Sequence, residues 1–165
     1  MRKIKRFILS FIFLMIIWIF LTSAIQGDDL ILGLLVSFIG SLLFYRFSDI
    51  YADVKITPKS LFKLVIYIFV FIKELIKANI DVALRVINPA LPINPGIVSV
   101  KTKLKSRLAK LILANSITLT PGTLTLDVKD DELFIHWIDV KSMDVEEATK
   151  KISMRFEKIL KGIIE

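Results

Sequence analysis

The sequence predicts a chain in two unlike parts: an α-helical membrane hairpin with one further amphipathic or third membrane helix, then a small α+β domain ordered βαββα, a partial ferredoxin-like fold. Three observations predict it. Two uncharged apolar runs stand almost adjacent near the N-terminus. A third apolar segment carries charges at helical spacing. Beyond a cluster of prolines, the apolar residues fall into a period of two, then of three to four, then of two again.

Composition agrees with the division. Of the 165 residues 55% are hydrophobic and the mean hydropathy is +0.67, too apolar for an ordinary soluble domain, yet 24% are charged. The charges are unevenly spread: residues 93–165 hold twelve Lys/Arg and ten Asp/Glu, whereas residues 61–92 hold only four and two. The absence of cysteine excludes disulfides, thiolate metal sites, lipoprotein anchoring and cysteine catalysis.

The first element opens on MRKIKR and then runs from Phe7 to Gly27 without an ionisable side chain. A bilayer takes about 20 apolar residues, so residues 7–27 suffice for a span. A secretory signal peptide would also show a basic start, an apolar core and small residues such as Thr22-Ser23-Ala24. Against it, Asp28-Asp29 is followed at once by a second apolar run, Leu30 to Tyr45, so the two together read as a hairpin with the aspartates at its outer turn. Within the second run Gly33, Ser37, Gly40 and Ser41 form a small-residue face that admits close approach of another helix. That helix is either the first span of the same chain or one from a neighbouring subunit.

The third segment, about residues 61–87, is amphipathic. Lys73, Glu74, Lys77, Asp81 and Arg85 line one side and the other stays apolar. Its charge-free stretch, Leu64 to Ile72, is too short to span alone, so the segment either lies in the interface or crosses as a third membrane helix. Positive charge favours the cytoplasmic side. MRKIKR and the cluster Lys101, Lys103, Lys105, Arg107 and Lys110 therefore place the N-terminus and the C-terminal domain in the cytoplasm, which calls for an even number of crossings.

Residues 88–96, NPALPINPG, end the third helix and predict a stiff, extended linker. The domain over 97–165 follows. Val98, Val100 and Thr102 alternate as a strand, and Leu104, Leu108, Leu111 and Ile112 switch to helical spacing. Leu124, Leu126 and Val128 alternate again, and Asp130-Asp131 makes a reverse turn into a further strand, ELFIHWIDV. Asp144 with Glu147 resembles a capping box, and Val145, Ala148, Ile152, Phe156, Ile159 and Ile163 give the last helix one apolar stripe. Between helix and strand lies a Thr-rich run broken by Pro121-Gly122. Pro121 fixes its own backbone, Gly122 accepts conformations closed to other residues, and Ser116, Thr118, Thr120 and Thr123 can bond nearby backbone, so the run predicts a constrained turn.

No chemistry of catalysis accompanies these elements. The one histidine, His136, sits in a strand with no cysteine or paired carboxylate placed to make a triad or metal site. Walker, GxGxxG and metalloprotease motifs are absent. The reading is therefore of a non-enzyme with no metal and no cofactor. A basic patch on a ferredoxin-like domain suits nucleic acid, but Phe134 and Trp137 fall on opposite faces of one strand, so no stacking platform forms and nucleic acid is not the expected partner. The two apolar runs contain no ionisable group at membrane depth, where an ion path needs one, so the expected role is structural. A membrane-anchored adaptor or sensor with a cytoplasmic interaction domain is the alternative.

The run NSITLTPGTLTLDV, then a short acidic turn and a strand containing His136, all behind an apolar N-terminus and the Pro-Ile-Asn-Pro-Gly linker, resembles the E subunit of the multi-subunit sodium/proton antiporters called Mrp, Mnh or Sha. The resemblance covers essentially the whole chain and is most specific over Ser116 to Thr123. It implies an accessory, multi-pass subunit of a cation/proton antiporter in a bacterial plasma membrane, with the bilayer and the other antiporter subunits as partners. It assigns no ion-translocating residue to this subunit.

Overall fold

The computed structural model describes residues 2–22, 27–44 and 57–164. The chain separates into two compact units, Met1–Asp53 and Val54–Glu165. The third helix thus belongs with the α+β domain, and the units do not part at the linker as the sequence pattern suggests.

In the first unit α1 (Arg2–Thr22) packs on α2 (Gly27–Phe44). Asp28 and Asp29 are not in a turn between helices. They occupy the first turn of α2, where a carboxylate meets the positive end of the helix dipole. The connection over residues 23–26, with the small-residue site Ser23-Ala24, lies outside the described residues, as does Tyr45. Trp18 donates its indole N–H to the carbonyl of Asp29 at 3.0 Å, and the rings of Phe7 and Phe38 meet edge-on. Among the described residues no helix is long and apolar enough to cross a membrane.

The second unit begins with α3 (Pro58–Ile87). Thr57 caps it: the Thr57 hydroxyl accepts from the backbone of Ser60, the Ser60 hydroxyl accepts from the backbone of Thr57, and Pro58 occupies a first-turn site that needs no N–H. The helix stops at Asn88 because Pro89 cannot continue it. The segment that follows is not an extended spacer. Asn88 folds it into a turn, its carbonyl accepting from Leu91 and its side chain from Ala90, and Leu91 takes a left-handed φ of 40°. Asn94 is then held beside the end of the sheet, donating to Ile138 and accepting from Val140.

Three antiparallel strands, β1 (Gly96–Lys101), β2 (Thr123–Lys129) and β3 (Glu132–Trp137), lie in the order β1-β3-β2. Helix α4 (Arg107–Leu119) connects β1 to β2, and β3 inserts between them, which is the split βαβ arrangement. Ser106 caps α4 and Asp144 caps α5 (Val145–Ile152) by accepting from Glu147. The last apolar stripe is divided at Ser153 into α5 and α6 (Met154–Ile164), and its buried members are Ala148, Ile152, Phe156, Leu160 and Ile164, with Ile159 and Ile163 at the edge. In α4 the core side is Ala109, Leu113 and Ile117, while Leu111 is half exposed.

The core sits between the sheet and the helices: Val98, Val100, Leu133 and Ile135 from the strands against Leu104, Leu113, Ile117, Phe156 and Leu160. Strand β2 is sided contrary to its binary pattern. Leu124, Leu126 and Val128 point outward, and Thr123 and Thr125 face α4. A bulge between Thr125 and Asp127 lets the strand keep pairing with β3.

Candidate functional site

Two places hold the residues that the sequence singles out. The first is the seam of the helical hairpin. Gly33 lies under Trp18 so closely that a Cβ there would come within 2.4 Å of the indole, and a Cβ on Gly40 would come within 2.9 Å of Leu14. Ser37 and Ser41 are fully buried, the former turned toward the Met15 sulfur and the latter bonded to the carbonyl of Phe38 at 2.8 Å. The small residues thus let α2 approach α1 of the same chain, and their face is used within the hairpin.

The second is the threonine turn after α4. A helix leaves its last carbonyls without partners, and here side-chain hydroxyls supply them. Thr120 donates to Ser116 at 2.7 Å, Thr123 to Ile117 at 2.6 Å, and Thr125 to Ala114 at 3.1 Å. Thr118 accepts from the backbone of Thr125 at 3.1 Å, so helix and strand are tied together in both directions. After Pro121, Gly122 adopts φ 88°, and its carbonyl accepts from Ile138 at 2.8 Å. A side chain at Gly122 would also strike Ile138 at 2.9 Å. Ser116 extends the network to α3, bonding the buried Tyr67 hydroxyl, whose pKa is raised by burial.

Charged groups beside this turn form a clasp that sequence spacing did not reveal. Arg85 of α3 binds Asp81 one turn back at 2.8 Å, the Pro92 carbonyl at 2.6 Å and Asp139 at 2.6 Å. Asp139, almost fully buried, also meets Lys141 at 2.5 Å. The Lys141 ammonium and the Arg85 guanidinium hold its carboxyl below the usual carboxylate range against the opposing effect of burial. Glu74 pairs with Arg155 of α6, whose guanidinium lies over the Phe156 ring. These groups and the Pro121-Gly122 turn border a cavity of about 270 Å³. The only sequence signal was that Arg85 and Glu74 share one side of α3, and their partners lie more than fifty residues away.

The basic cluster of residues 101–110 is partly neutralised within the domain. Lys105 and Lys110 bind Asp131 at 3.0 and 2.9 Å, and both hold its carboxyl below the usual range, Lys110 the more. Asp130 takes the left-handed φ of 51° that the reverse turn requires. His136 pairs with Ile97 and Leu124 on the outer face of the sheet, away from the core. Among the described residues no group of acidic residues or histidine has metal-binding geometry.

The class defined by these features is a helical hairpin joined to a split βαβ domain in which polar groups fasten elements to one another. A family model described as "Na+/H+ ion antiporter subunit" matches residues 11–163, and the chain belongs to that family. It is similar to the E subunit of the Na(+)/H(+) antiporter of Bacillus subtilis, 36% identical over 161 residues that cover 94% of this chain and 96% of that protein. It is likewise similar to the E1 subunit of the Staphylococcus haemolyticus antiporter, 37% identical, with 98% and 96% covered. Among solved structures, a chain in the membrane-bound sulfane sulfur reductase, an archaeal respiratory membrane complex, superposes with a TM-score of 0.84 at 47% identity, covering 96% of this chain and 98% of that one.

Proposed function

We propose that the chain is an accessory subunit of a multi-subunit membrane complex that exchanges Na+ for protons, serving assembly and stability and leaving the ion path to other subunits. The observation that carries this reading is the use made of its polar groups. The hydroxyls of the threonine turn bond helix carbonyls, and Glu74, Arg85 and Asp139 are ion-paired between elements. Between Phe7 and Thr22 in α1, and from Leu30 onward in α2, there is no ionisable side chain. Ion transfer through lipid requires such groups.

In this proposal α1 and α2 cross the bilayer as a hairpin, with both termini in the cytoplasm of a prokaryotic cell. Support comes from their surface: Phe20, Leu21 and Leu43 are each more than 60% exposed, and an apolar surface of that extent is not stable in water. The uncharged part of α1, Phe7 to Thr22, is about 24 Å long at 1.5 Å per residue, short of the roughly 30 Å hydrocarbon core. The sequence stays uncharged to Gly27, which supplies the missing length.

A second reading has its own observation. Identity to the chain of the archaeal respiratory complex, 47%, exceeds the 36% and 37% to the two antiporter relatives. The same accessory role would then be played in a redox-driven complex. Purification of the full chain in mild detergent tests both: either assembly brings it out with several polytopic subunits, and the second adds redox subunits. Recovery alone, or with one soluble protein, would contradict both and favour an adaptor or sensor.

A further inference from the structure

We infer that α3 is a membrane-surface helix that lies flat in the headgroup region of the bilayer, with the α+β domain standing on its inner side. This rests on the proposed membrane location of the chain and decides between the interfacial and spanning alternatives for residues 61–87.

The argument starts from what each side of α3 touches. Its inner side is filled by the domain almost from end to end. Lys63 lies across Gly162, Tyr67 bonds Ser116, Phe71 packs on Phe156, Glu74 pairs with Arg155, and Arg85 with Asp139. From Lys63 to Arg85 this is about 33 Å of helix at 1.5 Å per residue, comparable with the thickness of the hydrocarbon core. Were α3 upright in the bilayer, the domain beside it would be drawn in at every depth. Helix α6 carries Arg155, Glu157, Lys158 and Lys161 along this contact, and lipid does not accept such a row of charges.

The outer side has the opposite character. Phe62, Phe69, Ile76, Ile80 and Ile87 are more than half exposed and follow one another at seven- or four-residue spacing, so they lie on one line. Beside that line Lys59, Lys73 and Lys77 are exposed and make no ion pair among the described residues. An apolar strip with lysines along its margin fits the acyl–headgroup boundary, where the ammonium groups reach anionic phosphates. Strip and margin run the whole length of the helix, as a helix in the plane of the membrane requires. A spanning helix would instead need its charges at its ends.

The native absence of cysteine permits a direct test. Single cysteines at Phe62, Phe69, Ile76, Ile80 and Ile87 of the full chain, expressed with its complex and spin-labelled, are placed in phosphatidylethanolamine–phosphatidylglycerol vesicles. Collision rates with oxygen and a water-soluble nickel chelate give depth, and a label at exposed Lys129 serves as the aqueous reference. The five labels should share one shallow depth, within about 5 Å, although residues 62 and 87 stand about 38 Å apart along the helix. A depth that rises and falls across the series would show a span. Labels immobilised and shielded from both reagents would show a neighbouring subunit on the face. Either result overturns the inference. Whether the chain co-purifies with antiporter subunits is a separate readout, so failure of the functional reading would be recognised independently.

Discussion

Gly122 shows how one residue joins three elements. Its left-handed φ of 88° turns the chain out of α4, its carbonyl receives the N–H of Ile138, and its bare Cα leaves room for the Ile138 side chain. Gly122→Val should cost about 1–3 kcal/mol in backbone strain, with a further penalty from the contact with Ile138. The measurement is limited proteolysis of the complex in detergent, where cleavage within residues 97–164 should speed up. Unchanged protection would mean that the turn is not constrained. The Pro-Gly break was legible in the sequence because proline and glycine carry their conformational restrictions with them. The role of the threonines was half legible. Alternation of Leu124, Leu126 and Val128 identified a strand, but the apolar residues lie on the outer face. The inner positions are held by Thr123 and Thr125, because unpaired carbonyls of α4 need donors more than the core needs two further leucines.

At the scale of elements, the hairpin is the clearest case of small residues setting a distance. Gly33 and Gly40 sit under Trp18 and Leu14, and Ser37 and Ser41 are buried between them. Replacing Gly33 and Gly40 together by Leu should force α2 away from α1 and weaken the hairpin itself. Cysteines at Leu14 and Ser37, paired by oxidation in the membrane, would cross-link less in that variant than in the parent. Equal cross-linking would show that the glycines do not govern the approach. Sequence spacing found this face but left two candidate occupants, since a stripe of small residues specifies proximity and not identity. Helix α3 was legible as amphipathic. That its charged side would turn toward its own domain was not, because Arg85–Asp139 and Glu74–Arg155 are long-range pairs that no local period encodes. The break of the final helix at Ser153 was hidden for a similar reason: the apolar stripe continues through it, and only packing against β1 and α3 sets the change of direction.

For the whole molecule, the account holds that this subunit contributes structure to the complex and carries no part of the ion path. Phe156 is the natural residue at which to weaken the structure without touching any charge. It is 1% exposed, packed edge-on against Tyr67 and tilted against Phe71, so Phe156→Ala should cost about 3–5 kcal/mol. Removing the Glu74 carboxylate, by Glu74→Gln, instead deletes the acidic group deepest in the contact of α3 with α6. The most direct measurement is sodium-driven pH change in membrane vesicles, divided by the amount of assembled complex, for both variants and the parent. The account predicts less assembled complex, most severely for Phe156→Ala, and the same transport per complex in all three. Normal assembly of Glu74→Gln with transport per complex abolished would contradict it and place this subunit on the ion path.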